Sequence, residues 1–153
     1  MQVLKDDFRT LNWLFESCDM DYNALKSQKI DEDFFSDYFN QRIVNSFLFN
    51  YIKIQDKMGS KLFRNLLFEL KEIDDYSIPM VDILNILERL NILNSRDEWD
   101  RLREIRNIIT HEYPSDIDER IENIQLALEG YEILSGIFYH IKSYCSFRGI
   151  IKK

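Results

Sequence analysis

Helix breakers are scarce in this chain. Its 153 residues include 4 glycines and 2 prolines, well under the roughly 7% and 5% of average sequences. Few breakers leave long uninterrupted elements. No segment alternates apolar and polar residues at period two, so strands are not expected and the elements are read as helices. Long apolar runs are missing too. None approaches the roughly 20 residues that a bilayer span needs, so no membrane association is expected. The opening Met1-Gln2-Val3-Leu4-Lys5-Asp6-Asp7 has neither the basic nor the apolar region of a signal peptide, which points to a cytoplasmic protein. The two cysteines, Cys18 and Cys145, fall in helical patterns away from other metal-ligand types. They read as buried free thiols, and neither a metal nor another cofactor is expected. Excess basic charge is lacking as well. A net charge of -7 and a pI near 4.9 argue against a broad, non-specific grip on nucleic acid.

What is present is a 45% hydrophobic composition, enough for one globular domain over residues 1–153. No acid follows Glu132, whereas Lys142, Arg148, Lys152 and Lys153 do, so the last few residues are expected to form a flexible basic tail. The first helix is predicted from Val3 to Gln28, because Leu4, Phe8, Leu11, Phe15, Cys18, Tyr22 and Leu25 make one stripe. A second is predicted from an Asp31 N-cap to Met58, with Gly59 as its stop and Phe39, Ile43, Phe47, Tyr51, Ile54 and Met58 as its stripe. Phe34, Phe35, Tyr38 and Phe49 lie off that stripe, which predicts either a central helix or a subunit interface. Shorter helices follow from Lys61 to Ile73 and from Pro79. Ser95 with Glu98 reads as a capping box opening a helix that carries Trp99, Leu102, Ile105 and Ile109. Pro114 should end this helix near Glu112. A last helix is predicted from about Asp116 to Cys145. The fold class is therefore all-α, a single antiparallel bundle of five or six helices.

One stretch looks like chemistry rather than packing: Arg106-Asn107-Ile108-Ile109-Thr110-His111-Glu112-Tyr113. An arginine can hold a phosphate through two parallel hydrogen bonds, and a histidine moves protons near neutral pH. On a continuous helix Arg106 and His111 would point about 140° apart. They converge only if the helix unwinds near Thr110, or if two copies of the helix end meet across a dyad. Asn107, four residues before His111, can orient the imidazole. Structural roles compete with this reading. Arg106 can bridge Asp100 or Glu104, His111 can cap the helix C-terminus, and Tyr113 can be an edge aromatic. His140, the other histidine, lies in the last helix without an evident partner. It reads as structural and is a weak candidate for a second proton-transfer group.

The stretch resembles the arginine, four residues, histidine, one residue, tyrosine signature of HEPN domains (higher eukaryotes and prokaryotes nucleotide-binding). It looks most like the HepT-like toxins paired with minimal nucleotidyltransferases. Asn107, the Glu98-Trp99 to Arg103-Glu104-Ile105 segment and Pro114 resemble the same neighbourhood, so the likeness covers about Pro79 to Pro114. It implies a homodimer whose two motifs form a composite site that cleaves RNA without metal. Arg106 and His111 would be catalytic, with Asn107 in support. Two imidazoles across a dyad would serve as base and acid, and Arg106 would stabilise charge on the phosphorane. The resemblance also implies a nucleotidyltransferase antitoxin that adenylylates Tyr113. The alternative is a non-catalytic HEPN module that binds nucleotide or a partner nucleotidyltransferase. The arginines of the motif helix, balanced by Asp97, Glu98, Asp100 and Glu104, favour that alternative. A structural bundle with a chance motif is the third reading.

Overall fold

The computed structural model describes residues 2–110 and 116–151. Among these residues there are helices and no strand, and together they form an all-α bundle. Helix α1 spans Gln2–Lys26, and its predicted stripe faces inward: Leu4, Phe8, Leu11, Phe15, Cys18 and Leu25 are buried. Helix α2 spans Tyr38–Lys57, α3 Phe63–Glu69, α4 Met80–Arg89, α5 Arg96–Ile109 and α6 Ile117–Phe147. No helix of the structure is long and apolar enough to cross a membrane.

Three long helices make the core. Asp7 meets Lys57 and Cys18 meets the Phe47 carbonyl, so α1 and α2 run antiparallel. Along α6, Tyr131 pairs with Asp19 and Lys142 donates to Asn12, which sets α6 antiparallel to α1. Phe15 stacks on Phe138 with ring centroids 4.5 Å apart, and Phe47, Tyr51 and Tyr131 continue the aromatic layer. Both cysteines are buried and free, as the pattern predicts, and burial pushes their thiols up to about 12.

The second predicted helix divides differently. A short 3₁₀ turn, Asp33–Ser36, comes first, with the Phe34 amide donating to the Asp31 carboxylate. Asp37 is the N-cap of α2, accepting from the Phe39 amide at 2.9 Å. Phe34 and Phe35 lie in that turn and are buried edge to face, 5.3 Å apart. Phe39, expected in the inner stripe, is exposed in the first turn, as are Tyr38 and, further along, Phe49. Gly59 does not stop the helix. The chain passes through a π turn, Met58–Leu62, straight into α3. A Cβ on Gly59 would stand 3.2 Å from Trp99 Cζ2, so the glycine serves a close approach of α5 rather than a helix end.

The remaining ends are set by capping. Ser95 Oγ accepts from the Asp97 amide and opens α5. Asn91, with φ 59°, ends α4, and its carbonyl meets His140 Nε2 at 2.8 Å. That contact gives His140 a structural partner. Past α6 the chain folds back: Gly149 has φ 71°, the Ile150 amide donates to the Cys145 carbonyl, and Ile150 is buried. The predicted flexible tail is thus packed as far as Ile150, and Lys152 and Lys153 lie outside the described residues.

Candidate functional site

Helix α5 is positioned by two apolar anchors. Trp99 meets Phe63 edge to face at 4.7 Å, and Leu102 and Ile105 are fully buried. The π turn is held from α1 by Asp7, whose carboxylate takes Lys57 at 3.3 Å and Asn65 at 2.6 Å, one before the turn and one after it. With that turn fixed, the α5 face carrying Arg103, Arg106 and Asn107 looks across at the end of α2. Between them lies a cleft of about 500 Å³, within the roughly 300–1,000 Å³ of small-ligand sites.

Arg106 does not bridge Asp100 or Glu104. Its Nε and Nη2 donate to the two carboxylate oxygens of Asp56 on α2, both at 3.0 Å. This fork uses two of the five N–H donors of a guanidinium and fixes its plane. Asp56 carries no local sequence signal for this role. A signal did exist at Arg106, which has Leu102, Arg103, Ile109 and Thr110 at helical contact spacing and so no acid on its own helix to pair with.

The other arginines of α5 are engaged nearby. Arg96 and Arg103 pair with Asp100, and Arg101 reaches Glu104 and Glu129. The charge balance seen in the sequence is therefore a set of contacts, and α5 presents no bare basic stripe. Across the cleft Arg64 is tied to the carbonyls of Tyr76 and Ile78.

Helix α5 ends at Ile109 with Thr110 as C-cap, earlier than Pro114 alone would require. The Thr110 hydroxyl and its backbone N–H both donate to the Arg106 carbonyl, at 2.8 and 3.0 Å. Of the predicted site residues, Arg106 and the exposed Asn107 both line the cleft. His111 and Tyr113 lie outside the described residues. Among the described residues no group of His, Cys, Asp and Glu could hold a metal ion.

Comparison with protein-family models, with curated proteins and with solved structures gives no match. What can be said of function therefore rests on this geometry and on the motif.

Proposed function

We propose that the chain is the toxin of a HEPN/minimal-nucleotidyltransferase pair, a metal-independent endoribonuclease with a composite dimer site. The observation that carries the reading is the Arg106–Asp56 fork at the mouth of the cleft. It fixes the guanidinium in one orientation and, among the described residues, leaves three of its N–H donors without a partner for an incoming phosphate. In this scheme one His111 takes the proton of the RNA 2′-hydroxyl, the oxygen attacks phosphorus, and the partner copy's imidazole protonates the departing 5′-oxygen. The products are a 2′,3′-cyclic phosphate and a free 5′-hydroxyl.

The dimer of this scheme would need an apolar contact, and Phe49, 67% exposed two turns before Asp56 on the same face of α2, is a residue that could enter it. The alternative, a non-catalytic module that binds nucleotide or a nucleotidyltransferase, is favoured by one observation: the other arginines of α5, Arg96, Arg101 and Arg103, are paired with acids and leave no basic stripe for RNA.

The test is RNA cleavage by wild type, Arg106→Ala and His111→Ala in a chelator. Wild type should cleave as a dimer by light scattering. Both variants should lose activity while keeping their helical circular dichroism, since the Arg106–Asp56 pair, about half exposed, is worth about 1 kcal/mol or less. Cleavage by His111→Ala at the wild-type rate would refute the catalytic reading. Nucleotidyltransferase binding without any RNA cleavage would select the alternative.

A further inference from the structure

Helix α1 carries a second stripe on its outer face, away from the buried one. Val3, Asp6, Thr10, Trp13, Ser17 and Met20 follow one another in steps of three and four and fall within an arc of about 100°. All six are exposed, with Val3 at 59%, Trp13 at 68% and Met20 at 75%. Exposed apolar residues scattered singly need no explanation, but these share one seam. Along the seam the small Thr10 and Ser17 alternate with the large Trp13 and Met20, the pattern of knobs and holes in a helix pair. Arg9 and Glu16 flank the seam on one side, two turns apart. Among the described residues Arg9 has one ion pair, a 3.8 Å contact with Asp6 on its own helix, and Glu16 has none.

We propose that this face is a self-association surface, on which α1 pairs antiparallel with α1 of a second copy about a two-fold axis level with Leu11 and Asn12. In that register Trp13 packs over the partner's Thr10, and Met20 over the partner's Val3. Ser17 reaches the partner's Asp6, and Arg9 pairs with the partner's Glu16. The dyad makes each contact twice. The occupant is a second copy because the face carries its own complement. Sliding the pair by one heptad either way would set Glu16 against Glu16 or Arg9 against Arg9. A parallel pair would turn Arg9 toward Leu14 and Glu16 toward Asp21. Only the proposed register joins opposite charges. Helix α5, which carries the motif, packs on α4 and α6, whereas α1 packs on α2, α3 and the π turn. The pairing is therefore distinct from the composite RNA site and independent of the reading of Arg106.

The experiment follows the full chain over a concentration series by sedimentation velocity and tryptophan emission. Trp99 is 3% exposed and gives a constant buried signal, so a blue shift on concentration reports Trp13. One helix face is small for an interface, below roughly 1,200 Å², so association is expected in the micromolar range. Arg9→Glu and Glu16→Arg should each weaken it about tenfold or more, since each sets like charges together twice. Both positions are exposed, so both variants should fold. An equimolar mixture of the two variants should associate at least as tightly as wild type, because every charge pair between unlike copies then joins a glutamate to an arginine. A mixture no tighter than its components would overturn the pairing. So would a chain that stays monomeric throughout, or one that associates with no change in Trp13 emission. RNA cleavage keeps the two readings apart. A wild type that pairs through α1 but cuts no RNA loses the catalytic reading and keeps this surface. A dimer that cuts RNA with Trp13 still exposed keeps catalysis and refutes the surface.

Discussion

Gly130 is where α6 comes closest to α2 and α5, and replacing it with alanine should measurably loosen the frame that holds Arg106. A Cβ at this position would overlap Tyr51 Oη and stand 3.0 Å from Tyr51 Cζ and 3.3 Å from Ile105 Cγ2. Tyr51 and Ile105 are both fully buried, so neither can swing into solvent. Overpacking of this kind costs about 1–3 kcal/mol, and the overlap with a fixed hydroxyl belongs at the upper end. Alanine recovers about 1 kcal/mol of helix propensity over glycine. The net loss should be about 2 kcal/mol, or roughly 4–8 °C for a domain of this size. Tyr51 Oη is itself buried without a partner among the described residues. Tyr51→Phe should therefore be neutral or stabilising by about 1 kcal/mol. It should also rescue Gly130→Ala, because it deletes the atom that the new methyl strikes. The assay is a double-mutant cycle by urea unfolding at fixed protein concentration. A coupling of about 1–2 kcal/mol in the direction of rescue is expected. Strictly additive effects, or a Gly130→Ala protein as stable as wild type, would refute the packing argument.

The thiols make a pH prediction. Cys18 and Cys145 rise from 9.0 to about 12 on folding, mainly through burial. Between those values the unfolded chain has lost protons that the folded chain retains, so stability is full below pH 9 and falls as pH rises above it. Melting temperature should drop from pH 9 upward, less so in Cys18→Ala/Cys145→Ala, and native protein at pH 8 should resist thiol reagents; rapid labelling without unfolding would contradict the burial. At Tyr113, co-expression with a neighbouring minimal nucleotidyltransferase should add an adenylyl group and abolish RNase activity. Mass spectrometry showing adducts only on another tyrosine would exclude that regulation.

How legible each element was depended on where its determinants lie. The stripe of α1 keeps three- and four-residue steps over many turns, and α1 and α6 both fall within two residues of their predicted limits. The start of α2 was placed at Asp31 although its N-cap is Asp37; both aspartates accept from an amide two or three residues on. Sequence offers no means of ranking them. Gly59 reads as a stop by local rules. Its actual role depends on Trp99, 40 residues away in the chain, and a π turn has no reliable local signature. Lys71, with φ 60° after α3, takes a conformation usually signalled by glycine or asparagine, so that boundary was hidden. At the site, Arg106 and Asn107 were singled out from the motif. Asp56 was not, because its significance lies in α5 being brought across from another part of the fold.

Tyr51 and Gln55 sharpen that last point. They sit one turn apart on α2, and each keeps a buried polar atom unpaired. Such groups are local violations of a well-satisfied core, and their surroundings decide what they mean. Tyr51 Oη is closed over by Gly130, where even a methyl does not fit, so no ligand can reach it. Gln55 Oε1 is sealed from solvent in the same way, although the residue borders the cleft beside Arg103 and Arg106. Neither atom can be reached without moving its neighbours, so both deficits are costs to the fold. Tyr51→Phe and Gln55→Leu should each hold or raise the melting temperature. A clear drop for either variant would show that the group removed makes a bond on which the fold depends.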